Sequence, residues 1–202
     1  MEATGRLLLE AIQRKALTTL YENLNDKIQS LEATWQTEDE SLYDILGLGN
    51  PEWNVELIDS ENFYPGTIPS LIDAPINKYP NVCTICYIGN PRNSDDDTGE
   101  LYTDRLAIEI MVKSGSFDSE DIESRLNHER LVNTRIQKTL DAAHLTILDN
   151  RTLDNLITYL PAPRITIGDL FVRTVERGQN TKFYWQGGAL EYDVTKYVNF
   201  VD

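Results

Sequence analysis

Apolar residues recur at steps of three and four along the segment from Arg6 to Ala33. This spacing lays one apolar stripe along a helix, so it predicts an amphipathic helix with Thr4 as its N-cap. The residues of the stripe are Leu8, Ile12, Ala16, Leu20, Leu24, Ile28 and Leu31.

The hydrophobic pattern loses its period after Thr34, and glycine and proline interrupt the chain as far as residue 78. The segment is nevertheless rich in large apolar residues such as Trp53, Phe63 and Ile72, which a disordered linker would lack. We therefore predict an ordered insertion at about 34–78. Excursions of this length are more often functional than short loops are.

Two strands are predicted next, Val82 to Ile88 and Asp104 to Lys113. The second strand alternates, so its large branched apolar residues share one face, while Arg105, Ala107, Glu109, Met111 and Lys113 share the other. The large branched residues are Leu106, Ile108, Ile110 and Val112. Residues 89–100 are polar and predict a loop. The two strands are therefore expected to form a long antiparallel hairpin with a protruding acidic tip.

A second amphipathic helix is predicted from Asp118, its N-cap, to about Ala143. Its expected buried stripe consists of Ile122, Leu126, Val132, Ile136, Leu140 and Ala143. Short strands follow, separated by turns that include Gly187-Gly188. The predicted strands are Arg164–Ile167, Leu170–Glu176, Thr181–Gln186 and Leu190–Val198.

The order of elements is a helix, a long insertion, a hairpin, a second helix and a β meander. This order predicts the α+β class, with an antiparallel or mixed β-sheet that contains a long β-hairpin and is flanked on one face by two amphipathic helices. The length of 202 residues suits one domain. We therefore predict a single domain over 1–202 with the ordered insertion at about 34–78.

The charge of the chain limits its partners. Lys and Arg number 18 against 33 Asp and Glu, which gives a formal net charge of −15. Such a surface repels phosphate backbones, so a general nucleic-acid binder is not expected, whereas DNA that passes without binding is compatible. The N-terminal residues lack a signal-peptide pattern, and no apolar stretch is long enough for a membrane helix. We therefore expect no membrane partner.

The two cysteines, Cys83 and Cys86, lie in a predicted strand, where neighbouring side chains alternate between faces. Their odd spacing points the two sulfurs to opposite sides, and no second cysteine or histidine pair completes a zinc site. We expect buried, reduced thiols, which suit a cytoplasmic protein.

The sequence offers no pattern of a catalytic centre. His128 and His144 lie on one helix or at its end, and neither follows a serine elbow. The glycine motifs that bind nucleotide phosphates do not occur either. We therefore predict a protein that is not an enzyme and that holds no cofactor and no metal.

The aspartate-rich segment is the one candidate site. Asn93, Asp95 and Asp97 alternate like the first ligands of a calcium loop, and Asp104 follows at the closing position. The comparison then fails, because the glycine is at Gly99 and the closing glutamate is replaced by aspartate. We interpret the segment as a solvated hairpin tip, with an interaction surface or a metal site as the alternatives.

The order of elements resembles the tail terminator and related neck proteins of tailed bacteriophages. The resemblance rests on the leading helix, on Tyr79-Pro80-Asn81-Val82 entering a strand, on the hairpin through Asp104–Ile110, and on the long helix and final meander. It covers roughly residues 1–33 and 79–200. It implies a small sheet flanked by helices, in subunits that form a ring, commonly a hexamer.

The resemblance implies a structural subunit that caps the tail tube and joins it to the head. Its partners would be copies of itself, the tail tube protein and the head-side connector or stopper protein, while DNA passes through without specific binding. It would be a virion protein of the neck, assembled in the host cytoplasm. We expect the interface at the hairpin tip, at Asn93, Asp95, Asp96, Asp97, Gly99 and Glu100.

Two other classes remain open at the level of the sequence. One is an enzyme or ligand-binding protein that uses carboxylates or a metal at the Asp95–Asp97 loop. The other is a monomeric cytoplasmic adaptor.

Overall fold

A computed structural model describes residues 2–46, 55, 57–65, 81–96, 99–116, 122–150, 153, 162–168, 175–177 and 181–198. These residues form the predicted α+β fold, with two α-helices and six strands. The helices are α1 (Glu2–Leu46) and α2 (Ile122–Leu148). The strands are β1 (Phe63–Pro65), β2 (Asn81–Asp96), β3 (Gly99–Ser116), β4 (Arg164–Gly168), β5 (Val175–Arg177) and β6 (Thr181–Val198).

The strands form one mixed sheet in the order β1-β2-β3-β6-β4, and β5 also pairs with β6. Only β1 and β2 run parallel among these pairs; the others are antiparallel. Strand β3 is central, since Ile108 pairs with Ile85 on one side and with Leu190 on the other. The long β2–β3 hairpin is therefore present as predicted.

The core lies between one face of this sheet and the two helices. The predicted apolar face of β3 is buried, and it joins one cluster with Leu190 and Tyr192 of β6 and the apolar stripes of α1 and α2. In α1 the buried stripe agrees with the sequence pattern: Ile12, Ala16, Leu20, Leu24 and Ile28 are all at most 1% exposed. Burial of these side chains drives the helices onto the sheet.

Helix α1 is longer than its apolar stripe predicts. It begins at Glu2 and ends at Leu46, so Thr4 lies inside the helix and is not its N-cap. The first part of the predicted insertion, 34–46, is therefore helical. The reason is tertiary contact: Trp35 is buried, and Asp39 forms an ion pair of 3.4 Å with Lys138 of α2. These contacts stabilise turns for which the sequence shows no period.

The helices lie antiparallel. Lys27 of α1 pairs with Asp149 at 2.7 Å, whereas the later residue Asp39 pairs with the earlier Lys138. The ammonium of Lys138 also lies 5.4 Å from the centroid of the Trp35 ring, a cation–π distance. These two contacts at separate levels show the register of α1 against α2, whereas the buried apolar stripes supply most of the stability of the packing.

The described part of the insertion is tied to α1. The side-chain amide of Asn25 donates to the carbonyl of Ile58 at 2.8 Å and accepts from its backbone N–H at 3.0 Å. Ile58 is 1% exposed, and Tyr21 meets the ring of Phe63 edge to face. Phe63 opens β1, which pairs with β2. This part of the insertion therefore belongs to the sheet and to the core.

The stripe predicted for α2 is correct only in its second half. Val132, Ile136, Leu140 and Ala143 are buried, but Ile122 is 72% exposed and Leu126 is 62% exposed. The helix also continues past Ala143 to Leu148, and Ile147 is fully buried. The first turns of α2 therefore lie beyond its contact with the core. The predicted cap Asp118 lies outside the described residues.

The predicted turn at Gly187-Gly188 does not exist, because β6 is continuous from Thr181 to Val198. A Cβ at Gly188 would lie 2.7 Å from Leu140 Cδ1 and 2.8 Å from Ile136 Cγ2. Glycine is needed here for the close approach of α2 to the strand, not for a turn. Within the strand predicted at Leu170–Glu176, Val175 and Glu176 lie in β5, which spans Val175–Arg177. Residues 169–174 lie outside the described part, so the rest of this strand stays a prediction.

Candidate functional site

The tip-side end of the sheet consists of three paired strand segments, which we call the arm: 92–96 of β2, 99–104 of β3 and 194–198 of β6. Thr103 of β3 pairs with Arg92 on one side and with Thr195 on the other, and the pairing continues to Asp95, Glu100 and Val198. The predicted loop at 89–100 is therefore wrong for most of its length. A polar sequence is held extended here because β3 has a hydrogen-bonded strand on both sides.

The pairing of β2 with β3 shifts register between Ile88 and Arg92, and the turn-forming residues of the predicted loop lie in this interval. They are Gly89, Asn90 and Pro91. Proline cannot donate to a strand ladder, and it is tolerated at such irregularities. The bulge thus separates the buried part of the hairpin from the arm.

The arm brings together five of the six residues predicted as an interface. Asn93 pairs with Tyr102, Asp95 with Glu100 and Asp96 with Gly99. Asp97, the sixth, lies outside the described residues. Two acidic residues, Asp95 and Glu100, therefore occupy directly opposed positions on neighbouring strands. Like charges so placed destabilise a strand pair, which makes a positively charged group beside them favourable.

Both outer edges of the arm lack a strand partner within the described residues. On one side β1 pairs with β2 only from Cys83 to Ile85. On the other side β4 pairs with β6 only up to Glu191. The Nη2 atom of Arg164, at the start of β4, donates to both oxygens of Asp193 at 3.0 and 2.9 Å. This exposed ion pair lies next to the last described pair between β4 and β6.

A polar contact between the buried Tyr192 and the half-buried His144 lies at the base of the arm. Tyr192 is fully buried, and its hydroxyl lies 2.9 Å from Nδ1 of His144 on α2. Burial raises the pKa of Tyr192 well above its usual value, so the phenol stays protonated. Burial also raises the pKa of Asp141, an effect that Lys138 and His144 partly offset. His144 is thus a structural residue that connects α2 to β6.

The geometry of the arm is unsuited to a calcium loop. Such a loop wraps its ligands around one ion, whereas Asn93 and Asp95 lie on an extended strand, about 7 Å apart at the usual rise per residue. In the described part of the chain, no group of three His, Cys, Asp or Glu residues is placed to hold a metal. No helix among the described residues is long and apolar enough to cross a membrane.

Cys83 and Cys86 both lie in β2, at the register positions of Ile110 and Ala107. Their strand location is as predicted. The side chains of these cysteines and of His128 lie outside the described part, so their predicted inertness stays a prediction.

The sequence did not indicate that the third strand of the arm, 194–198 of β6, is part of the candidate site. Val194 to Val198 was predicted as a strand, but nothing in the sequence indicated that it pairs with β3 beside the acidic residues. Its signal was a segment rich in β-branched and aromatic residues (Val194, Thr195, Tyr197 and Val198) without glycine or proline. The erroneous glycine turn separated this run from 181–186 and hid the length of β6.

Two comparisons with known proteins give no match. No family model matches the chain, and no curated protein matches it in sequence.

Proposed function

We propose that the chain is a structural subunit of a phage neck or tail, which forms a ring that caps the tail tube and joins it to the head-side connector. The observation that carries this proposal is the arm, in which two edges on opposite sides have no strand partner among the described residues. Open strand edges favour the addition of another strand.

Opposite edges favour a ring over a two-fold dimer. A subunit that uses one surface on its left and a different one on its right associates head to tail, and such contacts close into rings when the rotation allows it. The acidic residues of the proposed interface, Asp95, Asp96 and Glu100, lie in the arm, at the same end of the sheet as the two edges. The net charge of −15 per subunit supports the same function, because it lets DNA pass through a pore without binding.

The partners in this proposal are further copies of the chain, the tail tube protein and the head-side connector or stopper. A hexamer is the ring that the family resemblance implies. The resulting protein would belong to the virion neck and would be assembled in the host cytoplasm.

The test shortens the arm without disturbing the core. Because Asn93 and Tyr102 are in register, residues 94–101 can be replaced by Asn-Gly, a dipeptide that closes a two-residue hairpin. We expect the variant to keep the circular dichroism spectrum of the parent and to lose ring formation and tube capping in negative-stain images.

A matched control removes the same number of acidic charges, four, from exposed positions of α1 and leaves the arm intact. Its substitutions are Glu22→Gln, Asp26→Asn, Glu38→Gln and Glu40→Gln. A shortened variant that caps tail tubes as well as the parent would show that the arm is not the interface. A parent protein that stays monomeric and ignores tail tubes would contradict the neck function and favour the adaptor.

A further inference from the structure

The central part of the sheet is buried on both faces. Along β3, Ala107, Glu109 and Met111 alternate with the residues that pack against the helices, so they lie on the opposite face, which we call the outer face. These side chains are only 1%, 7% and 3% exposed, and Ala189, which pairs with Glu109, is 4% exposed. Solvent reaches long side chains such as those of Glu109 and Met111 on an uncovered sheet face. Part of the chain therefore covers the outer face.

The helices and the segments that follow them belong to the other side of the sheet. Both helices pack in one cluster with Ile108 and Leu190, which define the helix side. Residues 47–54 lead from α1 to Val55, and the chain after α2 reaches Leu153. Val55 and Leu153 are members of the same helix-side cluster. The cover of the outer face must therefore come from another segment.

Residues 66–80 connect two parallel neighbours. Strand β1 runs parallel to β2, with Pro65 level with Ile85. The chain leaves β1 at Pro65 and enters β2 at Asn81, so it has to return over one face of the sheet against the direction of both strands. A crossover of this kind takes a dozen or more residues, and 15 are available (80 − 65).

The handedness of crossovers indicates which face this connection follows. Connections between parallel strands of one sheet are almost always right-handed. Strands β3 and β4 are also parallel, since both are antiparallel to β6, and α2 in their connection lies on the helix side. The steps from β1 to β2 and from β3 to β4 cross the sheet in the same sense, but the two pairs of strands point in opposite directions. A right-handed crossover from β1 to β2 therefore lies on the outer face.

The helix side is already occupied at this edge of the sheet. Helix α1 packs against β1 and β2, and the ring of Tyr21 meets Phe63 edge to face. A connection on the helix side would have to displace α1 from these strands. The outer face offers the path that leaves the core unchanged.

Asn62 supports the same path. Its side chain is fully buried, and neither its amide nitrogen nor its carbonyl oxygen has a hydrogen-bond partner within the described residues. Because Phe63 is level with Cys83, Asn62 lies beside the point at which the connection enters β2. Backbone groups at the end of the connection can supply the donor and the acceptor that a buried amide requires.

We propose that residues 66–80 cross the outer face of the sheet and bury Ala107, Glu109 and Met111 beneath their apolar side chains. The segment contains four large aliphatic residues, Ile68, Leu71, Ile72 and Ile76. The sheet is then the middle layer of three, and its outer face is not open to a partner. A neighbouring subunit is left with the helices and with the edges and ends of the sheet. This inference does not depend on the neck function.

Oxidation of Met111 by hydrogen peroxide tests the cover with a native probe. Oxidation of methionine depends on access, so Met111 should react slowly in the parent. Leu71→Ser/Ile72→Ser weakens the apolar contact and should accelerate the oxidation of Met111 about tenfold or more, as measured by mass spectrometry of peptides. The matched control, Ile122→Ser/Leu126→Ser, changes the same residue types at exposed positions of α2 and should oxidise like the parent.

Disulfide formation identifies the segment that supplies the cover. The background carries Cys83→Ser and Cys86→Ser, and one cysteine is placed on the outer face by Ala107→Cys or Ala189→Cys. The second cysteine is placed in the connection by Ile68→Cys, Leu71→Cys or Ile72→Cys. At least one of these pairs should form a disulfide under mild oxidation, which requires Cα atoms within about 7 Å of each other.

Two controls give the alternatives. Ala143→Cys is fully buried on the helix side and should form no disulfide with the same three positions of the connection. Ile157→Cys lies between α2 and β4 and should form none with either outer-face cysteine. A disulfide in either control instead of the expected pairs would overturn the proposal.

An oxidation rate of Met111 that Leu71→Ser/Ile72→Ser leaves unchanged would also overturn the proposal. Melting curves show whether that variant keeps its fold. If it does not, the cysteine pairs decide, because they add no charged group to the core. An absence of disulfides from both outer-face positions to the connection would then contradict the crossover on this face.

Discussion

Gly188 lies where α2 packs closely against the sheet. The side chains of Leu140 and Ile136 occupy the space that a Cβ would need, and the carbonyl oxygen of Thr166 on β4 lies 2.8 Å from the same point. Two of these neighbours are core side chains and the third is backbone. Leu140 and Ile136 are fully buried in a packed core and Thr166 O is backbone, so an added methyl group must displace the helix or the strand.

Replacing Gly188 by Ala should lower the free energy of unfolding by about 1–3 kcal/mol, because the added methyl group overpacks the contact between α2 and β6. Urea denaturation measures the change. The double variant Gly188→Ala/Leu140→Ala should be less destabilised than the sum of its single variants, since the shorter side chain makes room for the methyl. Strict additivity would mean that Leu140 is not the obstacle.

The glycine pair also shows why part of the fold was not predictable. A glycine that permits a turn and a glycine that permits close packing are identical in the sequence, and only the position of Leu140 and Ile136 distinguishes them. The strand β6 was therefore divided into two. The arm, which depends on the full length of β6, could not be derived from the sequence, although its acidic residues could be.

Elements with one dominant period were predicted well. In α1 five of the seven predicted stripe residues, those from Ile12 to Ile28, are buried, and Leu31 packs partly buried against the core. In β3 the predicted apolar face, Leu106 to Val112 at every second residue, joins the same core as the helices. The prediction of buried residues failed where burial depends on whether a partner element lies against the apolar face. Ile122 and Leu126 continue the pattern of α2 but are exposed, because the core does not reach the first turns of that helix. A periodic pattern identifies a face without showing how far its partner extends.

Ile108→Ala should destabilise the protein by about 2–5 kcal/mol, since the side chain is fully buried at the centre of β3 and its removal leaves a cavity. The matched control is Ile122→Ala on α2, where the same atoms are removed from a side chain that is 72% exposed. The control should change the free energy of unfolding by less than about 0.5 kcal/mol. Equal changes in the free energy of unfolding, measured by chemical denaturation, would mean that Ile108 is packed no better than Ile122.

At the scale of the whole molecule, the described residues place the acidic positions of the arm along extended strands and not around a point. We therefore expect no tight calcium binding. The melting temperature should be the same in calcium and in EDTA, because only a ligand that binds the native state raises stability. Differential scanning calorimetry of the dialysed protein measures this. A melting temperature that is several degrees higher in calcium would contradict the expectation and favour a metal site at the arm.

The pairing of β3 with β6 has a consequence for the order in which the protein forms during synthesis. The β2–β3 hairpin joins neighbouring segments, but the partner of Leu106 on the other side is Tyr192, which is 192 − 106 = 86 residues later. At about 5–20 residues per second, a ribosome needs roughly 4–17 s to cover this interval. During that time the nascent hairpin presents the open side of β3 to other chains. Helix α2 is made within the same interval and can cover the apolar face of β3 before its second strand arrives.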